Sequence, residues 1–250
     1  MPSFHRRLPL ALIATASVLV FSGCDTMPNI QLEPQAKSRI KRIALVEVPE
    51  PSNVQVDNLD GVGSPYMVVP PASTNAAGAD PTPATSTEDH STQFAIAIKP
   101  LKPGLGGAVQ AAIAEGLKAD GYEVTVVKSP KKVRRTARLP DGLLPADTDA
   151  VMWVDCSVVG YMASFYSGTY EPWLAVNAVL LDPRTDRMVY AKTLCVGYRM
   201  KSKEAVFLPA EAKYRYASFT ELMKKVGEAY QGLVQCGLAA SRRIGEDLRR

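Results

Sequence analysis

"DAVMWVDCSVVGYM", residues 149–162, is the first of three long β-rich runs that decide the fold. It is followed by "PWLAVNAVLLD" (172–182) and "RMVYAKTLCVGYR" (187–199), and the turn sequence "DPRTD" (182–186) joins the last two runs. Runs rich in β-branched and aromatic residues that are bounded by turn residues predict strands, and short connections predict antiparallel neighbours. We therefore expect an antiparallel meander of three strands.

The segments around the meander predict an α/β layer. Strands are expected at "RIALVEV" (42–48), which Pro49 ends, at "FAIAI" (94–98) and at "YEVTVV" (122–127). "KPGLGGAVQAAIAEGLKADG" (102–121) has apolar residues at helical spacing and Gly121 at a C-cap position. The expected fold class is α/β (α+β): a single small mixed or antiparallel sheet with packed helices.

The last of the predicted helices is "FTELMKKVGEAYQGLVQCGLAASRRIGEDL" (219–248), which contains four glycines. Each glycine costs a helix about 1 kcal/mol relative to alanine. We expect this helix to depend on packing against the sheet, and its glycines favour a break in the middle.

The 250 residues are expected to divide into a leader, a tether and one domain. Residues 1–23 fit a signal peptide, because Arg6 and Arg7 precede a 14-residue apolar stretch that rises only about 21 Å as a helix, too short for a bilayer span. Residues 24–39 are expected to be a lipidated tether, and residues 40–250 a single α/β domain. The Pro/Ala/Ser/Thr-rich stretch at about 49–93 is expected to be a mobile insertion.

"FSGCD" (21–25) resembles the lipobox of bacterial lipoproteins. The resemblance implies cleavage before Cys24, lipidation of that cysteine, and a palmitate-bearing anchor on the periplasmic side of a membrane. In the lipoproteins that this segment resembles, an aspartate at the position of Asp25 favours the inner membrane, with the outer membrane as the alternative. The other interpretation is an ordinary secretory signal with a chance cysteine.

Charge and cysteine content restrict the function. Loss of residues 1–23 leaves 27 basic and 25 acidic side chains, a balance that does not favour nucleic-acid binding. Export permits disulfides. With Cys24 lipidated, one bond between Cys195 and Cys236 is expected, and the alternative is three reduced core thiols that include Cys156.

The sequence contains little material for catalysis. His90 is the single histidine after residue 23, and we expect it to be a solvated loop residue. No nucleophile elbow, Walker A loop or GxGxxG motif occurs, and no cofactor or metal site is expected. Asp155, inside an apolar strand, is expected either to face solvent or to be buried with a raised pKa.

Two groups of residues favour binding. The first is the basic run "KKVRRTAR" (131–138), which suits anionic headgroups or an acidic polymer and whose charges are Lys131, Lys132, Arg134, Arg135 and Arg138. The second is a set of aromatics that either form an exposed hairpin tip for a partner or pack on the sheet: Phe165, Tyr166, Tyr170 and Trp173.

The order of these elements resembles a bacterial envelope superfamily. It contains the amino-terminal domain of the Tol-system protein TolB, the periplasmic domain of the curli secretion channel, and lipoprotein activators of penicillin-binding proteins. The matching phrases are "RIALVEV" (42–48), "GLKADGYEVTVV" (116–127), "DAVMWVDCSVVG" (149–160) and "VNAVLLDPRTDRMVY" (176–190).

The resemblance implies a non-enzymatic accessory protein that contacts unidentified partners in a cell-envelope complex. One alternative is an oligomeric component of an export or secretion apparatus, because the superfamily includes a channel domain. A second alternative is an envelope hydrolase that uses acids alone.

Overall fold

The computed structural model describes residues 27–52, 54–58, 87–101, 104–129, 144–163, 168–198 and 204–249. The helices are α1 (Pro34–Arg39), α2 (Thr87–Ile98), α3 (Leu105–Ala119), α4 (Phe219–Lys224) and α5 (Val226–Leu248). The strands are β1 (Arg42–Val46), β2 (Gln55–Asn58), β3 (Glu123–Val127), β4 (Ala150–Ala163), β5 (Tyr170–Asp182), β6 (Arg187–Gly197) and β7 (Val206–Leu208). The fold is the expected mixed α/β type.

The three long strands pair as the sequence predicts. β4 is antiparallel to β5 along its whole length, and β5 is antiparallel to β6. In the turn between β5 and β6, the side chain of Asp182 accepts a hydrogen bond from Arg184 N at 2.9 Å, and Asp186 adopts a positive φ of 54°. Aspartate is suited to both roles, because it forms Asx turns and tolerates the left-handed region.

Shorter strands extend the meander on both sides by parallel pairing. β1 lies between β3 and the first half of β4, β2 pairs with the second half of β4, and β7 pairs with β6. The strand order of the sheet is β3-β1-β4-β5-β6-β7, with β2 off this path. β3 therefore lies at one edge.

Helices α2, α3 and α5 cover one face of the sheet and bury the main core there. In α5, Gly232 and Gly237 permit close contacts: a Cβ on Gly237 would lie 2.7 Å from Val109 Cγ2 of α3, and one on Gly232 would lie 2.8 Å from Tyr161 Oη of β4. The expected break in the middle of the last helix is wrong, because this packing offsets the low helix propensity of glycine. The interruption lies at Lys225, between α4 and α5.

Residues 94–98 form the end of a helix, not the expected strand. Phe94 and Ile98, four residues apart, are buried on one helix face, whereas Ile96 between them is exposed. His90 in the same helix stacks on Phe219 with ring centroids 3.8 Å apart, so it is not a solvated loop residue. The stretch at 49–93 is thus partly ordered, since it contains β2 and the first residues of α2; residues 59–86 lie outside the described residues.

Residues 27–39 pack on the domain, although the sequence predicts a tether there. Ile30 forms an antiparallel bridge with Ala191 of β6, Leu32 is buried, and α1 follows. Most residues of this segment are polar, which is why the sequence predicts a tether. Its few apolar residues nevertheless pack against the domain. Within the described residues, no helix combines the length and the apolar character that crossing a bilayer requires.

Candidate functional site

The sheet face opposite the helices carries a second, smaller apolar cluster. Strand alternation explains it: on β4, Met152 and Val154 belong to the core under the helices, whereas Val151 and Trp153 belong to the second cluster. Met27 and Ile30 pack against this cluster from outside. We call this side of the sheet the second face.

A row of polar side chains crosses the second face within the three long strands. Asp155 of β4 is directly opposite Asn177 of β5, and Asn177 is directly opposite Thr193 of β6. All three are buried. Burial of polar groups is costly unless they form hydrogen bonds.

A chain of hydrogen bonds sets the orientation of Asn177. Thr193 Oγ1 accepts a hydrogen bond from Met27 N at 3.1 Å and donates its own hydrogen to Asn177 Oδ1 at 2.8 Å. With the threonine hydroxyl donating to Oδ1, Nδ2 of Asn177 is the donor side of the amide. Nδ2 forms no hydrogen bond with another described residue.

A cavity of about 160 Å³ opens beside this row. The described residues that line it are Met27, Glu47, Pro49, Ser129, Trp153, Val154, Asp155, Asn177 and Val179. The lining combines two carboxylates, an amide, an indole and apolar walls. Pockets of this kind, mostly apolar with a few polar groups, are the usual form of small-ligand sites.

Trp153 lines the cavity, and its indole nitrogen is itself buried. Its side chain is only 7% exposed, and its Nε1 has no hydrogen-bond partner in the described part of the chain. Most buried polar atoms in native proteins have a partner, so each exception needs an explanation. This nitrogen has almost no accessible surface, so the structure does not place it where an occupant of the cavity could accept its hydrogen bond.

Asp155 is buried at 7% exposure, so it does not face solvent. Because side chains alternate along β4, Asp155 lies on the second face, the same side as Trp153. Asp155 and Glu47 supply the two carboxyl groups among the described residues that line the cavity.

A larger cavity of about 460 Å³ lies near the start of α3. Its acidic residue, Glu50, already accepts a hydrogen bond from Gly107 N at 3.2 Å, in the first turn of that helix. A carboxylate at this position satisfies free N–H groups and the helix dipole. Glu50 therefore has a structural role, and the smaller cavity remains the better candidate.

The edge of the described sheet at β3 is a separate surface. Glu123, Thr125 and Val126 are exposed, and Val126 is 46% exposed although it is apolar. A groove of about 290 Å³ lined by Glu123 and Thr125 adjoins this edge. Within the described residues, no strand pairs with the outer side of β3.

Only some of the predicted site residues belong to the described part of the chain. Tyr170 and Trp173 are buried on the protein's own sheet, so neither forms an exposed hairpin tip. Tyr170 packs near Phe219, and Trp173 packs edge-on against Tyr198. The other predicted contacts lie outside the described residues: Phe165, Tyr166, Lys131, Lys132, Arg134, Arg135 and Arg138, and so do Cys24 and Asp25.

The expected disulfide between Cys195 and Cys236 is not formed, and both cysteines, like Cys156, are buried thiols. The reason is geometric. Cys236 of α5 belongs to the core under the helices, whereas Cys195 alternates with Leu194 and Val196 of that core and therefore points to the second face. Burial raises the pKa of the Cys236 thiol to about 12.

No group of three His, Cys, Asp or Glu side chains among the described residues could hold a metal ion. Sequence reasoning singled out Asp155 but missed Asn177, Thr193 and Glu47. A partial signal for the first two was present, because each β-rich run has a polar residue in its apolar middle. Counting back from the turn at 182–186 would pair Asn177 with Lys192, and the register shift between Leu180 and Leu181 makes Thr193 its partner instead.

No family model matches the chain, and no curated protein matches it. Among solved structures, it is similar to a protein named as a neuraminyllactose-binding hemagglutinin homologue from Helicobacter pylori, with 11% identity, coverage of 83% of this chain and 85% of the other, and a TM-score of 0.38. A Xanthomonas campestris protein of family DUF330 has 10% identity, coverage of 88% and 97%, and a TM-score of 0.33. A protein named as a lipoprotein from Caulobacter crescentus has 11% identity, coverage of 60% and 83%, and a TM-score of 0.29. At these TM-scores the similarities support no inference about activity or partners.

Proposed function

We propose that this protein is a non-enzymatic, lipid-anchored accessory protein of a bacterial cell envelope, which acts by contact with a partner protein. The observation that carries the proposal is the edge of the sheet at β3, on whose outer side no described strand pairs. Its outer backbone groups and the exposed side chain of Val126 offer a partner strand both hydrogen bonds and apolar contact.

The proposed anchor is the lipidated Cys24, with Asp25 favouring the inner membrane and the periplasmic side. Anchoring raises the local concentration of the domain at one surface, which makes a weak edge contact effective. The basic run at 131–138 would add attraction to anionic headgroups.

Site-specific photo-crosslinking in living cells tests the partner contact. A photoreactive residue in place of Val126 should give an adduct with an envelope protein, and the same residue in place of the exposed Glu246 on α5 is the matched control. A charge at Thr125, as in Thr125→Lys, should abolish the adduct, because lysine on an edge strand opposes strand pairing. An adduct that survives this change, or none at Val126, would overturn the proposal.

The same experiment distinguishes the accessory role from the alternative, an oligomeric component of an export apparatus. Adducts of twice the mass of the chain would indicate pairing between copies through the β3 edge, which an oligomeric export component needs. Adducts with a different protein favour the accessory role.

A second candidate is an acid-dependent hydrolase, which is favoured by the two carboxylates of Glu47 and Asp155 in one cavity. Glycosidases use such a pair. Hydrolysis of isolated cell-wall glycan by the purified protein, abolished by Asp155→Asn, would support this candidate, and intact glycan would remove it.

A further inference from the structure

The backbone of β3 determines which of its groups a partner strand can use. Glu123 N donates to Lys41 O at 2.9 Å, and Val127 O accepts at 2.8 Å from the residue that follows β1, so both ends of β3 direct their backbone groups toward β1. Because this direction alternates from one residue to the next, Val124 and Val126 direct their N–H and C=O groups to the outer side. No described strand pairs with them there.

An antiparallel partner fits this short edge better than a parallel one. In an antiparallel ladder, each outward-directed residue exchanges both of its hydrogen bonds with the residue directly opposite, so a very short segment satisfies Val124 and Val126. A parallel ladder staggers these bonds, and the same groups would need about five residues of the partner. Antiparallel pairs are also slightly more stable per residue. We therefore expect the partner strand to run opposite to β3.

The two faces of β3 favour different side chains in the partner. Val124 packs against the core under the helices, whereas Val127 belongs to the cluster on the second face. By alternation, Val126 lies on the helix side, and Glu123 and Thr125 lie on the second face. Val126 is 46% exposed. Apolar partner side chains opposite Val124 and Val126 would remove this apolar surface from water.

The start of β3 carries a negative charge that is available to a partner. Glu123 is exposed and forms no ion pair with another described residue, since Arg42, its neighbour on β1, instead lies 3.1 Å from Asp147 and 3.7 Å from Asp149. The groove of about 290 Å³ at this edge is lined by both Glu123 and Asp147. A basic side chain opposite Glu123 would be attracted to these carboxylates, whereas an acidic one would be repelled.

We propose that the β3 edge binds an antiparallel partner strand with apolar side chains opposite Val126 and Val124 and a lysine or arginine opposite Glu123. This inference rests on the proposed function, because it specifies the segment that the partner protein supplies. Read from its amino terminus, the segment is apolar, β-branched and polar opposite Thr125, apolar, then basic. The backbone hydrogen bonds supply affinity, and the charge sets the register, since a slip by two residues would move the basic side chain away from Glu123.

Peptide titration followed by nuclear magnetic resonance tests the proposal. The Cys24→Ala protein, which lacks the proposed lipidation site, is titrated with a peptide in which Val-Thr-Val-Lys is flanked by glycine and serine, and with the same peptide carrying glutamate in place of lysine. The lysine peptide should shift the backbone N–H signals of Val124 and Val126 and bind at least about fivefold more tightly than the glutamate peptide. Equal binding of the two peptides, or no shift with either, would overturn the proposal.

N-methylated peptides test the direction of the strand. In the antiparallel register, the N–H groups of both peptide valines donate to β3, whereas the threonine N–H is directed away from it. Methylation of the nitrogen of either valine should therefore abolish binding, and methylation of the threonine nitrogen should leave it unchanged. The reverse result would indicate parallel pairing and would contradict the proposal.

A charge reversal tests the role of Glu123. Glu123→Lys should make the glutamate peptide the tighter ligand, whereas Glu246→Lys, the matched change at an exposed position of α5, should leave the preference for lysine unchanged. Because Glu123 is exposed, its variant should keep the fold. If Glu123→Lys also prefers the lysine peptide, Glu123 does not select the partner and the proposal fails.

The photo-crosslinking experiment at Val126 is scored separately from the titrations. An adduct with an envelope protein in cells, together with no preference between the peptides, would remove this inference and keep the proposed function. A preference for the lysine peptide without any adduct in cells would keep the specificity of the edge and remove the proposed function.

Discussion

Asp247 Oδ2 lies 2.5 Å from Lys192 Nζ, and the lysine side chain is only 3% exposed. The same carboxylate accepts hydrogen bonds from Tyr190 Oη at 3.1 Å and from Arg243 Nε at 3.2 Å. The last turns of α5 are thus bonded to β6 through the partly buried carboxylate of Asp247. Asp247→Ala should lower the free energy of unfolding by about 3–5 kcal/mol, because it leaves a buried ammonium without its partner.

Chemical denaturation measures this effect, with an exposed ion pair as control. Glu211 and Lys213 lie 2.7 Å apart with both side chains more than half exposed, and Glu211→Gln should change stability by less than about 1 kcal/mol. The double variant Lys192→Met with Asp247→Leu should recover most of the loss. A loss for Asp247→Ala no larger than that for Glu211→Gln would contradict the assigned role.

Asp149 is expected to make the free energy of unfolding depend on pH in the acid range. Burial raises the pKa of its carboxyl, but the backbone N–H groups of Arg42 and Lys41 and the Arg42 guanidinium outweigh it, so the pKa is lowered. Because the folded pKa lies below the unfolded value of about 3.9, the stabilisation is complete above that value and is lost as pH falls through the folded pKa.

Asp149→Asn should therefore destabilise the protein at pH 7, and the difference from wild type should shrink as the pH is lowered below about 4. Thermal unfolding at a series of pH values measures it. Glu246→Gln, for which no such contacts exist among the described residues, provides the baseline. A pH-independent difference would show that the charge of Asp149 has no role.

The buried thiols predict a specific pattern of labelling. At pH 8 the pKa of about 12 keeps Cys236 protonated, and the fold shields it. In the Cys24→Ala protein, an aromatic disulfide reagent should find no fast-reacting thiol before denaturation and three after it, without reductant. One reactive thiol in the denatured state would instead indicate a disulfide.

Gly160 is required for the pairing of β2 with β4. It has a φ of 156°, and a Cβ at this position would lie 1.7 Å from Gln55 O. Gly160→Ala should lower the free energy of unfolding by about 1–3 kcal/mol and increase amide hydrogen exchange in β2. Gly116→Ala in α3, where a Cβ meets nothing within 4 Å, should instead stabilise by up to about 1 kcal/mol.

The local sequence pattern was sufficient to predict an element where the segment itself carried the signal for a strand or a helix. The three long runs with the turn at 182–186 predicted β4, β5 and β6, and the apolar spacing at 105–117 predicted α3. It failed at 94–98, because residues four apart, such as Phe94 and Ile98, lie on one side of a strand and also on one face of a helix. Packing of this segment against β2 and Tyr161 selects the helix. It failed again at 27–33, a polar segment in which Met27 and Ile30 cover the second face and Leu32 joins the main core.

By itself, the sequence determined that this chain forms a mixed α/β domain around three strands, because strand and helix periodicities are local properties of neighbouring residues. It also singled out Asp155 as unusual. Only the tertiary structure decided that Asp155 is buried beside Asn177, that Glu47 and Met27 join them at one cavity, and that Cys195 and Cys236 lie on opposite faces of the sheet. Those relationships depend on strand register and on which face each side chain takes, and both are set by packing between segments distant in the chain.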